Sequence, residues 1–359
     1  MSAGAPSQRM YLSLVAAPNG LGHISRLLGL ATELARRDAL AQLSIIAAPW
    51  QREALRAHTN RLDTGPGTPG VPIHWHTKVF DEAGTNLFEL TDLDDLSARW
   101  ARRLQEHSAL AEASVVLSDN LALVLSARPD TLLVGSFLWQ DVLAEGEFTQ
   151  REAYLLEQYR PRMICNAWLA TDRVLTQTIP QPVSWTAARD PAAPTPAVPP
   201  MVEVNVGASG LMLEEGANLV RRLAARGIHL QVTPALWQAL DSPERTMARI
   251  REDRPTLAIL RPGVQSVSEY VAAGVPMLLM YESNPEMVHN ARTLTRLGLA
   301  TDICEHGLDG RADAVEAFLC AADLGSARAR LLAQPSIGLS QMATIVQSHV
   351  STAKTGRQQ

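Results

Sequence analysis

Apolar runs of strand length alternate along this chain with stretches whose apolar positions recur every three or four residues. Tyr11–Pro18 (YLSLVAAP) is an almost unbroken aliphatic run that stops at Pro18-Asn19-Gly20. Leu27, Leu28, Leu30, Ala31 and Leu34 follow at helical spacing and predict a helix from Ser25 to Arg37. Leu43–Pro49 (LSIIAAP) is the next strand, so the chain opens as β–turn–α–β, with the right-handed parallel geometry such units adopt. The pattern continues with strands at Ile73–Thr77, Ser114–Asn120, Thr131–Trp139 and Met163–Ala170. Helices are predicted at Asp94–Glu112, Leu121–Ala127 and Glu145–Tyr159. After Met201 it resumes with strands at Met201–Val206, His229–Leu236, Leu257–Leu260 and Met277–Tyr281. Helices at Leu213–Arg226, Ser266–Ala273, Ala312–Ala322, Ser326–Leu332 and Leu339–Ser351 fill the intervals, and Pro243–Arg251 reads as a short helix or turn. Strands buried on both faces lack polar alternation, so the class is α/β with parallel sheets.

Between the two series lies RDPAAPTPAVPP (Arg189–Pro200), with five prolines in twelve residues, an extended and semi-rigid linker. The expected organisation is 1–188, a linker at 189–200, a second domain at 201–338, and a C-terminal helix and tail at 339–359 that crosses back to the first. Composition narrows the classes. A net charge of −5 argues against bulk binding to nucleic-acid phosphates. No apolar stretch is long enough to span a bilayer, and the N-terminal apolar run reads as a strand rather than a signal peptide. Cys165, Cys304 and Cys320 are odd in number and widely spaced, which suits a reducing compartment, with cytoplasm as the default, and burial as small apolar residues. His74 and His76 share one strand face, but no third metal ligand is spaced near them.

Two glycine turns carry the candidate chemistry. After the first strand comes Asn19-Gly20-Leu21-Gly22-His23, which lacks the third glycine of a dinucleotide fingerprint. The strand Ser114–Asn120 ends at the same sheet edge, so Asp119 can orient His23; it can equally, with Asn120, cap the helix that follows. In the second half, Leu260–Ala291 reads as strand end, turn, helix, strand and helix start. A turn at Arg261-Pro262-Gly263 presents backbone N–H groups and a helix N-terminus to an anion, and Glu269 one turn further can reach sugar hydroxyls. Gly207, Ser209 and Gly210 form another loop suited to phosphate.

Arg261-x-Gly263-x-x-Ser266-Val267-Ser268-Glu269, then Ala273-Gly274-Val275-Pro276 and Asn290-Ala291, resembles the donor-binding motif of GT-B glycosyltransferases, most closely the peptidoglycan N-acetylglucosaminyltransferase group. The first loop, with Arg26, is similar to that of GT-B enzymes and of a related sugar-nucleotide hydrolase. The resemblance implies two Rossmann-like domains facing across a cleft. It implies nucleotide-sugar binding by Gly20, Gly22, Gly207, Ser209, Gly210, Arg261, Gly263, Val264, Gln265, Ser266, Glu269, Glu286 and Asn290. The family's polar pair before Asn290 falls on Glu286-Met287, a departure in the part that reads the sugar.

The preferred activity is inverting, metal-independent transfer of a sugar from a nucleoside-diphosphate sugar, UDP or dTDP, to an acceptor hydroxyl. His23 serves as base, Asp119 orients it, and Trp139 and Asp141 lie on the acceptor side. No cofactor is expected to be tightly bound. Nucleotide-sugar hydrolysis or epimerisation on the same fold, and a non-catalytic partner protein, are the alternatives.

Overall fold

The computed structural model describes residues 9–55, 61–62, 70–84, 87, 90, 92–187, 189, 200–207, 210–240, 248–250, 254–320 and 324–356. The chain divides into two compact units, one of residues 1–183 and 339–359, the other of residues 184–338. The Pro-rich segment 190–199 lies outside the described residues.

The first unit holds β1 (Met10–Ala16), β2 (Leu40–Ile46), β3 (Arg61–Leu62), β4 (Val71–His76), β5 (Val115–Asp119), β6 (Leu132–Val134), β7 (Arg162–Asn166) and β8 (Ile179–Val183). Their order across the sheet is β3-β4-β2-β1-β5-β6-β7-β8. All neighbours are parallel except β3 and β4. The order reverses direction between β1 and β5, and ligands of open α/β sheets bind at such a switch point, beyond the strands' C-terminal ends. β1 shows why its sequence lacks alternation. Leu12, Leu14 and Ala16 pack with Ile24, Leu27, Leu30 and Leu34 of the helix Gly22–Arg36, whereas Val15 packs on the opposite face with Phe80 and Trp100. The final helix, Gly338–Gly356, adds Met342, Ala343, Val346 and Val350 to the first of these cores. Arg37 ties it down by donating to Thr344 Oγ1 and to the carbonyl and hydroxyl of Ser340.

The second unit holds β9 (Met201–Asn205), β10 (His229–Val232), β11 (Ala248–Ile250), β12 (Leu257–Leu260), β13 (Met277–Leu279) and β14 (Ala300–Asp302), in the order β11-β10-β9-β12-β13-β14. All are parallel, and the switch point falls between β9 and β12.

Several boundaries differ from the periodicity. Asp94–Glu112 is two helices, Leu93–Gln105 and Ser108–Glu112, because His107 interposes and its Nδ1 accepts from the Ala109 N–H to cap the second. β6 is only three residues long, since the chain leaves the sheet at Gly135 (φ +155°). Leu121–Ala127 tightens to a 3₁₀ turn at Ala122–Ser126. Ala248–Ile250, expected in a helix or turn, is an edge strand, and 241–247 and 251–253 lie outside the described residues. Of the cysteines only Cys165 is buried; Cys304 is partly exposed and Cys320 exposed.

Two stability tests arise here. Where the chain returns toward the first unit, the Gly338 N–H donates to Trp185 O at 2.9 Å and the Ile337 N–H to Ser184 Oγ at 3.2 Å. A Cβ on Gly338 would overlap Ser184 O and lie 2.8 Å from Trp185 O, both backbone atoms that cannot rotate aside. Gly338→Ala should therefore lower the unfolding free energy in urea by about 2 kcal/mol. Gly29→Ala is the control: its Cβ meets nothing closer than 3.5 Å inside a helix, and it should stabilise by about 0.5–1 kcal/mol. A destabilisation by Gly29→Ala as large as that by Gly338→Ala would refute the steric account.

Glu152, on the helix Glu147–Tyr159, is buried, and its Oε1 accepts from the Leu123 N–H at 2.8 Å. Burial pushes its carboxyl up to about 8, against the opposing pull of the Leu123 and Ala122 amides. The folded protein thus holds this proton more tightly than the unfolded chain. That contribution to stability is full below the ordinary value of 4.5 and is lost as pH rises through about 8. Glu152→Gln keeps a carbonyl acceptor without the charge. Its melting temperature should exceed the wild type's by about 4 °C at pH 8, with the gap closing at pH 4.5; a gap that does not change with pH would contradict the assignment.

Candidate functional site

At the switch point of the first sheet, β1 gives way to a short turn with Gly20 in the left-handed region (φ +69°), and the helix starts at Gly22. That start is three residues earlier than the apolar spacing indicates, so His23 sits in the helix's first turn. Gln51 braces the turn: its side-chain amide donates to the carbonyls of Ala17 and Gly20, both at 2.9 Å, and its Oε1 accepts from the Ala48 N–H. Nothing in the sequence marks Gln51, because a buried glutamine carries no local signal.

β5 pairs with β1 so that Asp119 lies opposite Ala16. This register brings Asp119 Oδ1 to 2.7 Å from His23 Nδ1. The helix-capping alternative for Asp119 does not hold, since both its oxygens are engaged by the helix Gly22–Arg36. Arg26 donates from Nε to Oδ2 at 2.8 Å and from NH2 to Oδ1 at 2.7 Å. The Asp119 side chain is fully buried, that of His23 12% exposed. Burial alone would raise the Asp119 carboxyl, but the charges and hydrogen bonds of Arg26 and His23 hold it below the usual carboxylate range. An ionised Asp119 can only accept, so His23 Nδ1 carries the hydrogen of this bond. The Phe137 ring meets the imidazole edge-on, with centroids 6.4 Å apart.

Trp139 and Asp141, the two residues expected on the acceptor side, both have partners within the first unit, and only Trp139 is buried. Trp139 is fully buried, packed edge-on against Phe137 and close to Phe148. The chain turns into a helical turn, Trp139–Val142, after Gly135, and this carries the indole into the core. Asp141 Oδ2 accepts from the Leu138 N–H and from Thr171 Oγ1, and its Oδ1 lies 3.2 Å from Arg173 Nε.

His76 Nε2 contacts Ser44 Oγ at 3.3 Å, and its ring packs edge-on against His107. Burial lowers the pKa of both imidazoles, and for His76 the neighbouring His107 and His74 add to it. Among the described residues no group of three or more His, Cys, Asp or Glu is placed to hold a metal ion.

At the second sheet's switch point, β9 ends in Asn205, whose carbonyl accepts from the Arg261 N–H at 3.1 Å and so joins the two loops. Gly207 (φ +77°) and Gly210 (φ +80°) take conformations that favour glycine; Ser209 lies outside the described residues. The Gly207 N–H is engaged by Asn205 Oδ1, and the Gly263 N–H by the Arg261 carbonyl. The helix Val264–Ala273 begins at Gly263 without a side-chain cap. The amides of Val264, Gln265 and Ser266 therefore carry the positive end of the helix, an arrangement that attracts anions. Glu269 accepts from Gln265 Nε2 at 3.1 Å on the same helix.

Three more of the predicted residues lie at this end of the second sheet. The Arg261 guanidinium is clasped by Glu282, with Nε 2.9 Å from both carboxylate oxygens and NH2 on Oε1. Asn290 is buried and donates to the Pro262 carbonyl at 2.9 Å, so it secures the turn from behind. Glu286 lies in the first turn of the helix Pro285–Arg296, which Asn284 caps, and Met287 beside it is buried.

No protein-family model matches the chain, and no curated protein matches it in sequence. Solved structures do match. A UDP-glucose:anthocyanidin 3-O-glucosyltransferase in complex with UDP is 14% identical, with a TM-score of 0.67 over 96% of this chain and 100% of that one. Spinosyn rhamnosyltransferase SpnG complexed with thymidine diphosphate is 18% identical, with a TM-score of 0.56 over 94% and 100%. The glycosyltransferase SnogD from Streptomyces nogalater is 17% identical, with a TM-score of 0.58 over 96% and 100%. With two parallel Rossmann-like sheets, each carrying its candidate residues at a switch point, the chain has the GT-B fold of these glycosyltransferases.

Proposed function

We propose that this protein transfers a sugar from a nucleoside-diphosphate sugar to an acceptor hydroxyl, with inversion at the anomeric carbon. The hydrogen bond from His23 to the buried, ionised Asp119 carries this reading, because it leaves Nε2 as a base at the sheet edge. As the acceptor oxygen bonds to the anomeric carbon, its proton passes to Nε2. The bond from that carbon to the diphosphate breaks, and its electron pair leaves with the nucleotide. The amides of Val264, Gln265 and Ser266 would stabilise the leaving diphosphate, and Glu269 would hold the ribose hydroxyls. UDP and dTDP are the proposed donor nucleotides, in keeping with the UDP and thymidine diphosphate named with two of the matched structures. Among the described residues, no helix is long and apolar enough to cross a membrane.

The test is binding. UDP or dTDP at a hundredfold excess over its dissociation constant should add about 2.7 kcal/mol to stability and raise the melting temperature by several degrees. Glu269→Ala should weaken that nucleotide about tenfold by calorimetry without altering the free protein's melt. Should neither nucleotide shift the melt, the donor assignment fails. Nucleotide-sugar cleavage at the same rate with and without a phenolic acceptor would point to hydrolysis instead.

A further inference from the structure

Arg26 lies three residues after His23 on one helix, so the two side chains leave the same face. Its side chain is 8% exposed and its planar fork grips a carboxylate that is itself fully buried. A buried carboxylate without such a partner takes up a proton rather than remain charged. It is also loosely held, because the terminal torsion of Asp is broad. Two parallel N–H···O bonds remove both freedoms at once, fixing the charge and the plane. With the plane fixed, Oδ1 faces His23 Nδ1 at 2.7 Å. A lysine would supply the charge but not the fork.

We propose that Arg26 is a positioning residue for the base. Its guanidinium holds Asp119 ionised and in plane, and through Asp119 it keeps His23 in the tautomer with the proton on Nδ1. Arg26 itself touches neither substrate nor reacting atoms. This inference rests on the reading of His23 as the base, and the tautomer can be observed without any substrate.

The experiment uses the full chain labelled with ¹⁵N-histidine, with His23→Ala to assign the His23 signals and Asp119→Ala as reference. The wild type should show His23 protonated on Nδ1, with a low-field proton from the bond to Asp119. Arg26→Lys and Arg26→Met should both give mixed tautomers and lose that proton. For kinetics, nucleoside-diphosphate release is followed with UDP-glucose or dTDP-glucose and 4-methylumbelliferone as acceptor. kcat should fall about tenfold to a hundredfold in the Arg26 variants, with the donor KM unchanged. In the Asp119→Ala background, Arg26→Met should cost less than about threefold more, since the two residues act as one unit. An unchanged His23 spectrum in both Arg26 variants overturns the proposal, as does a loss that multiplies in the double variant or a change confined to the donor KM. If Arg26→Met does not fold, Arg26→Lys, which keeps the buried charge, decides the matter. If His23→Ala retains full turnover, the base reading fails, while the spectra still decide whether Arg26 governs the tautomer.

Discussion

His23→Ala should reduce kcat about a thousandfold while leaving nucleotide binding and the melting temperature close to wild type. The size follows from general base catalysis, which contributes about 10²–10⁴ in rate when the base is held in place. The selectivity follows from position. His23 belongs to the first unit, whereas every residue proposed to hold the diphosphate or the ribose belongs to the second. Its side chain reaches the surface, and Arg26 still engages both Asp119 oxygens when the imidazole is removed. The decisive comparison is calorimetric titration of UDP or dTDP beside steady-state kinetics with the same donor. A variant that keeps its rate within tenfold leaves His23 without a proton to move. A variant that loses nucleotide affinity in step with rate makes His23 a binding residue.

Much of this arrangement is readable from the order of residues. Almost unbroken aliphatic runs such as Leu12–Ala16, in which only Ser13 is polar, are possible only where both faces are covered, so they announce a parallel sheet. In such a sheet every strand ends at the same edge, which is why a turn after β1 and an aspartate ending β5 can be paired across nearly a hundred residues. What is not legible depends on direction rather than order. Trp139 follows a strand that stops early at Gly135, and no periodicity reports the bend that swings the indole into the core. Asn290 is visible in the second motif, but that its amide donates to the Pro262 carbonyl is not. Glu282, twenty-one residues from Arg261 in sequence, becomes its partner only because β12 and β13 are neighbours. Arg26 is visible as part of the first motif, but its two bonds to Asp119 require the register of β1 on β5.

Asp119→Ala should cost about 3–5 kcal/mol of stability at pH 7, well beyond the cost of Gly338→Ala. The cause is less the lost attraction than the charge left behind, since Arg26 would keep a buried guanidinium without the carboxylate that both its donors face. The pH dependence follows from the depressed carboxyl of Asp119. A group held below its unfolded value contributes stability that is fully present above that value, about 3.9, and is lost as pH falls through the folded one. The gap between wild type and Asp119→Ala in urea unfolding should therefore stay constant from pH 7 to about 5 and narrow below about 4. A double variant, Asp119→Leu with Arg26→Met, separates charge from packing. Buried ion pairs replaced by apolar side chains of similar volume are often no less stable than the pair. The double variant should recover most of the stability lost in Asp119→Ala and none of the activity. Recovery of neither would mean that the site is held by packing around the aspartate, and the ion pair would then be incidental to the fold. Recovery of stability alone would show that the buried charges at this sheet edge are kept for the proton on His23 and not for the fold.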